Sequence, residues 1–337
     1  MDLWQLSDLC TPWCVHVAAT LRIADHLEAG VKEIGQLAAA AGADADALGR
    51  VLRHLANRGL FEEHTPGHFE LNELARGLLG KGRLGFDLDS FGGRMAHAWG
   101  TLLAAVRTGR PAYHQEFGRP FWEDLDAHRE IAADFDALMG PAGHGLPDGQ
   151  VLIDPAEWAN VRTVVDVGGG TGALLAEVLR SQPHVRGVLV DLPRTLAGAP
   201  ELLAAAGVAD RVTLAGQSFF DPLPRGGDVY LLKSVLGDWP DREARAILAR
   251  CADAAEPGGR VVLVNGVSES AQAPPELLML VLVGGRTRTL PEFRELARTA
   301  GLEVDAAARQ PSGRFVVECV PIRQVPDDNT LRTSSLR

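Results

Sequence analysis

Cysteine is scarce: four residues in 337, at positions 10, 14, 251 and 319, with no CxxC pair and no zinc-ligand spacing. That excludes a disulfide scaffold and reads as reduced thiols in a cytoplasmic protein. Long apolar runs are missing too. The longest, Leu277–Val283, falls far short of the ~20 residues that span a bilayer. Basic excess is absent, since 33 lysines and arginines face 44 acids for a net charge of −11. This argues against nucleic acid or an anionic membrane as the main partner. Asp2 and Asp8 stand where a secretion signal carries positive charge. What is present is ordinary globular composition, 46% hydrophobic and 23% charged, in a chain long enough for about two domains.

The first 85 residues read as a helical module. Thr11-Pro12 predicts an N-cap and first helical position, with a helix running to about Glu28. Helices follow over 32–41 and Asp46–Asn57, the latter with Leu48, Val51, Leu52 and Leu55 on one face. A Pro-Gly turn inside LFEEHTPGHFELN then predicts a two-stranded wing. Helices plus wing make a winged-helix module. Residues 1–80 hold six lysines and arginines against eleven acids, which favours packing or dimerisation over phosphate contact.

Residues 86–150 read as a helical connector rich in aromatics and histidine, with a hinge loop over 140–150. Residues 151–323 change character. Short, continuously apolar runs at 163–167, 187–192, 212–216, 228–235 and 260–267 alternate with helical segments such as the one carrying Ala244, Ile247, Leu248 and Cys251. That pattern predicts a parallel sheet covered on both faces in a doubly wound α/β domain. The last two runs, in GLEVDAAA and RFVVECV, pair as an antiparallel edge. Residues 324–337 read as a disordered tail.

VVDVGGGTGALLAEVLR is a strand, a glycine-rich turn and a helix. Glycines there let backbone approach a ligand at the helix N-terminus. Asp191, about 20 residues on, is placed to accept both ribose hydroxyls of a nucleoside. Gly168, Gly170 and Ala173 also satisfy a dinucleotide pattern. Three features favour another nucleoside cofactor. Asp166 precedes the first glycine by two residues, GQSFFDPLP offers Ser218 and Phe219 to an adenine, and Lys233 ends the fourth strand.

Taken with VLVDLP, GQSFFDPLPRGGDVYLLKSVLGDWPD, EPGGRVVLV and LLMLVLVGGRTRT, the chain resembles the S-adenosylmethionine-dependent small-molecule O-methyltransferases, and within them the enzymes that tailor aromatic polyketides such as anthracyclines. The resemblance covers about residues 3–321. It implies a Rossmann-like class I methyltransferase domain behind a winged-helix dimerisation domain, and a homodimer with interlocked N-terminal helices. It assigns S-adenosylmethionine or S-adenosylhomocysteine to Asp166, Gly168, Gly170, Asp191, Leu192, Ser218, Phe219 and Lys233. It implies an aromatic substrate pocket from Trp99, Phe135, Met139, Gly237, Met279 and Arg288.

The family's usual HDWxD segment reads LGDWPD here, so Gly237 replaces the histidine that serves as general base. The glutamate that orients this histidine is replaced by Asn265. Ionising a phenol of pKa ~10 at pH 7 costs ~4 kcal/mol, whereas orienting two reactants supplies ~7–11 kcal/mol. Methyl transfer to an acidified phenol therefore survives the loss. The alternative is an enzyme that keeps the cofactor but hydroxylates, decarboxylates or cyclises; a winged-helix regulator is a third reading. Among His97, His114 and His144, His97 is the candidate substitute near the acceptor. Asp238 reads as a helix N-terminal charge, with a pocket carboxylate as the alternative, and Trp239 and Pro240 read as fixing the loop.

Overall fold

In the computed structural model, residues 2–140, 147–255, 257–272 and 274–322 are described. His144, most of the expected hinge loop and the expected tail at 324–337 lie outside them. The chain forms two compact units. The first runs up to residue 146 and adds Leu277–Gly284; the second holds Pro147–Glu276 and the chain from Gly285 on. The segment expected to be a separate connector over 86–150 thus falls within the first unit up to residue 146. No helix among the described residues is long and apolar enough to cross a membrane.

After a short helix at Leu3–Leu6, the first unit has α1 (Cys10–Thr20) and α2 (Ile23–Glu28) rather than one helix from Thr11. Asp8, not Thr11, caps α1: Oδ1 accepts from the Cys10 and Thr11 amides at 2.8 and 3.2 Å. An anionic oxygen is the stronger acceptor for these unsatisfied donors. Arg22 takes left-handed backbone (φ 53°) between the two helices, and the break lets Ala18 and Ala19 share one core with Ile23, Ala24 and Leu27. α3 (Ile34–Ala41) and α4 (Ala45–Asn57) follow. Leu48, Leu52 and Leu55 of α4 are buried in that core. The wing is β1 (Phe61–Thr65) paired antiparallel with β2 (His68–Leu71), driving Phe61 and Phe69 inward.

A second core in this unit gathers Phe91 of α5 (Phe91–Ala98), Tyr113, Phe121, Leu125 and Ile131 of α6 (Arg129–Met139). Val281 and Leu282, from the helix Leu277–Leu282, complete it. Asp124 is buried there, yet its carboxylate meets Arg94 Nε at 2.8 Å, Tyr113 OH at 2.7 Å and His128 Nδ1 at 3.0 Å. Those partners meet the desolvation cost of a buried charge.

The second unit is the doubly wound domain. The strands of its seven-stranded sheet are β3 (Thr163–Val167), β4 (Arg186–Asp191), β5 (Val212–Gly216), β6 (Val229–Lys233), β7 (Arg260–Val264), β8 (Leu302–Arg309) and β9 (Phe315–Pro321). The sheet order is β8-β9-β7-β6-β3-β4-β5. The last five in that order pair parallel, while β9 runs antiparallel to β7 and β8 to β9. The expected antiparallel edge is therefore present. α7 (Ala173–Ser181) follows β3, and α8 (Asp241–Ala255) buries Ala244, Ile247, Leu248 and Cys251 against the sheet core. The runs expected at 228–235 and 260–267 stop early, because Ser234 (φ 57°), Asn265 (φ 66°) and Gly266 (φ 83°) turn the backbone out of extended geometry. β3 has β4 on one side and β6 on the other. In such sheets the ligand crevice opens beyond the carboxyl ends of strands where the order reverses.

Candidate active site

The turn after β3 stands at that reversal. Gly168 (φ 71°), Gly170 (φ 63°) and Gly172 (φ 86°) all lie in the left-handed region. A Cβ on Gly168 would come within 2.9 Å of Val235, just past β6, and 3.4 Å of Phe219. A Cβ on Gly169 would sit 2.5 Å from the Asp166 carboxyl. Gly169 and Gly172 are thus packing glycines, whereas nothing lies within 4 Å of the Cβ position at Gly170.

Asp191 ends β4 and ties the turn to its neighbour strand. Its Oδ2 accepts from the Gly170 amide at 2.8 Å and its Oδ1 from the Leu192 amide at 2.7 Å. An ionised carboxylate has about four lone-pair sites, so capacity for two hydroxyls remains. Asp166 lies beneath the turn, 1% exposed, with Oδ2 lacking a hydrogen-bond partner. Burial and the Asp191 charge push its carboxyl up to about 7, against the pull of Lys233. A buried acid with one unpartnered oxygen, beside an open glycine, suits a cationic ligand better than a phosphate.

Ser218 and Phe219 follow β5. Ser218 Oγ accepts from the Phe220 amide at 3.2 Å and keeps its own proton to donate. The Phe219 ring meets Phe220 and Trp239 edge-on, with centroids 5.1 and 5.7 Å apart. The sequence-predicted residues Asp166, Gly168, Gly170, Asp191, Leu192, Ser218, Phe219 and Lys233 all come from β3, β4, β6 and the turns beyond β3, β4 and β5.

Beyond β6 the chain makes a 3₁₀ turn, Leu236–Asp238. Among the described residues, no heavy atom beyond its own neighbours lies within 4 Å of the Cβ position at Gly237. Arg288 was expected to reach a substrate and does not. It is 1% exposed, and its guanidinium donates to Asp241 Oδ1 at 2.9 Å, Leu236 O at 3.0 Å and Trp239 O at 2.8 Å. These bonds clamp the turn that carries Gly237, which is structural work that spacing alone does not reveal. Asp238 also departs from expectation. α8 starts at Asp241, so Asp241 and Glu243 provide the first-turn charges. Burial, with the nearby Glu276 charge, pushes the Asp238 carboxyl up to about 7. Glu276 in turn accepts from the Thr287 amide and hydroxyl at 2.5 and 2.7 Å. The sequence offered Asp238 as a possible pocket carboxylate, but nothing in it signalled Glu276 as its neighbour.

The remaining candidates belong to the first unit. His97 is exposed, edge-on to Trp13 at 5.3 Å and 3.9 Å from Glu116. It is not among the residues lining the apolar groove of about 260 Å³ that Trp99 forms with Val15, Phe86, Met95 and Leu278. The structure therefore places it at the surface beside the Glu116 carboxylate, outside that groove. Phe135 packs edge-on against Phe91 at 5.0 Å, inside the aromatic core that Met279 also joins. Met139 is 46% exposed, so these four do not converge as one wall.

Residues 99–303 match the O-methyltransferase domain family, and residues 4–81 match the O-methyltransferase dimerisation domain. The chain belongs to the S-adenosylmethionine-dependent O-methyltransferase family. Among relatives of this O-methyltransferase-family chain is the 2,7-dihydroxy-5-methyl-1-naphthoate 7-O-methyltransferase of Streptomyces carzinostaticus, 42% identical over 314 residues, covering 91% of this chain and 94% of the relative. The aclacinomycin 10-hydroxylase of Streptomyces purpurascens is 40% identical over 327 residues, covering 92% and 86%. An O-methyltransferase from neocarzinostatin biosynthesis, solved with S-adenosylmethionine and 2-hydroxy-5-methyl naphthoic acid, superposes with a TM-score of 0.86 at 40% identity, covering 95% of this chain and 99% of that one.

Proposed function

We propose that the protein methylates a phenolic oxygen of a planar, polyketide-derived aromatic without a histidine base. The observation that carries this reading is the open space beside Gly237, flanked in sequence by Asp238. S-adenosylmethionine, when bound, supplies an electrophilic methyl on a cationic sulfur. The Gly168–Gly172 turn and Asp191 hold its nucleoside and amino-acid ends, Phe219 and Ser218 its base, and Asp166 lies below as a counter-charge. Asp238 takes the acceptor's proton: a carboxyl near 7 is half ionised at neutral pH and is matched to that task. Arg288 keeps the turn in place.

The protein works as a cytoplasmic homodimer through its N-terminal residues. Supporting this, Leu3, Trp4, Leu6 and Leu9 are 76, 85, 72 and 75% exposed, more contiguous apolar surface than a monomer usually leaves in water.

A second reading is a cofactor-retaining, non-methylating reaction. It is favoured by the joint replacement at Gly237 and Asn265 and by the 40% identity to a hydroxylase. Incubation with methyl-labelled cofactor and hydroxynaphthoate or anthracycline phenols separates the two. Label in product with matching S-adenosylhomocysteine supports methylation; product without S-adenosylhomocysteine supports the second reading.

A further inference from the structure

We propose that Cys10, Cys14 and His54 form a zinc-class metal site that ties α1 to α4. Read along the chain, the two cysteines show no zinc spacing, because the third ligand arrives from a different helix. Cys10 and Cys14 stand one turn apart on α1, and His54 lies in the last turn of α4. One ligand atom from each of the three lies within 4.8 Å of the others. The two sulfurs are 3.8 Å apart. Two Zn–S bonds of about 2.3 Å at the tetrahedral angle span about 3.8 Å, so the thiols stand at the separation a tetrahedral ion requires.

The histidine is also held. Thr11 Oγ1 is 2.9 Å from His54 Nε2 and donates to Asp8 Oδ2 at 2.6 Å. A hydroxyl-to-carboxylate relay of this kind fixes the ring as outer partners do in known metal sites. Asp8 is fixed by the amides of Cys10 and Thr11 and by Arg58 at 3.3 Å. The ligands are therefore oriented before any ion arrives. Cys10 is exposed and Cys14 partly buried, which leaves a route in and a fourth position for water. Binding exchanges two S–H bonds for two S–metal bonds and releases two protons to solvent, with no change of oxidation state. Cys251 and Cys319 are buried in the second unit, so they cannot supply the same signal.

The test is titration of the full-length, reduced protein with Co²⁺ in the absence of oxygen. One Co²⁺ per chain should bind with thiolate-to-metal charge-transfer absorption and intense tetrahedral visible bands, both bleached by Zn²⁺. The C10S/C14S variant should lose both, while its S-adenosylhomocysteine affinity stays that of the parent. Cys10→Ser alone, at an exposed position, should weaken binding by at least about tenfold, and it carries the test if the double variant does not fold. Absence of thiolate charge transfer in the parent, or unchanged binding in Cys10→Ser, overturns the proposal.

Discussion

Asn265 Nδ2 donates to Ser234 Oγ at 3.3 Å, and both residues hold left-handed backbone where neighbouring strands β6 and β7 end. Two adjacent strands thus turn away at one level and open the mouth of the crevice. Such backbone costs a non-glycine residue ~1–3 kcal/mol, and asparagine tolerates it better than most. Asn265→Val should therefore lower unfolding stability by about 1–3 kcal/mol, and Ser234→Gly should be neutral or stabilising, both measured by urea unfolding. Equal stability of Asn265→Val and the parent would show that this turn carries no strain.

Restoring the missing base is sterically open. Gly237 does not have positive φ, and its Cβ position is free to 4 Å. Gly237→His combined with Asn265→Glu should lose some stability through the left-handed backbone at 265, yet raise methyl transfer to a weakly acidic phenol at least about tenfold, since a general base contributes ~10²–10⁴. A double variant no faster than the parent would show that this position does not face the acceptor.

Asp166 links cofactor grip to stability. Its carboxyl moves from 3.8 unfolded to about 7 folded. Between those values the folded protein keeps a proton that the unfolded chain has released, so stability falls as pH rises from about 4 to 7. Asp166→Asn should therefore be more stable than the parent at pH 8, by on the order of 1–4 kcal/mol, with the difference shrinking towards pH 4. The same variant should bind S-adenosylmethionine more weakly. Thermal melts across pH and calorimetry check both halves; a variant less stable than the parent at pH 8 would contradict the assignment.

Asp238 predicts a pH profile. Because burial and Glu276 raise its carboxyl to about 7, turnover under saturating cofactor should climb through neutral pH as the acid ionises. Asp238→Asn should flatten that limb and cut turnover by about 10²–10⁴, with cofactor affinity little changed. A parental-shaped profile in the variant would remove Asp238 from proton transfer.

The clamp on the turn can be separated from the chemistry. Arg288→Lys keeps the charge but loses the planar fork that serves Asp241, Leu236 O and Trp239 O together. Leaving a buried carbonyl unpaired costs ~1–3 kcal/mol. Stability should drop by about that amount, and turnover should fall more than S-adenosylhomocysteine affinity. An unchanged kcat would mean the turn is held without it.

The second unit was legible because its signals are local. Continuous apolar runs marked β3 and β5 to the residue, and the glycine turn placed the cofactor residues. What escaped depends on long-range geometry. Nothing in the sequence distinguishes an arginine facing solvent from Arg288, whose partners lie about 50 residues away. Phe135 and Trp99 are alike as residues, yet one joins an aromatic core and the other lines a groove. Asp8 outcompeted Thr11 as a cap because it lies close enough to reach two amides, a contest that propensity does not score.

The return of Leu277–Leu282 to the first unit makes that unit discontinuous along the chain. A fragment ending near residue 150 would leave out Val281 and Leu282 and uncover the aromatic cluster around Phe91 and Phe121. Limited proteolysis or gene splitting between the two halves would not yield an independent N-terminal piece, whereas a fragment with residues 277–284 fused to residues 2–140 would restore that core.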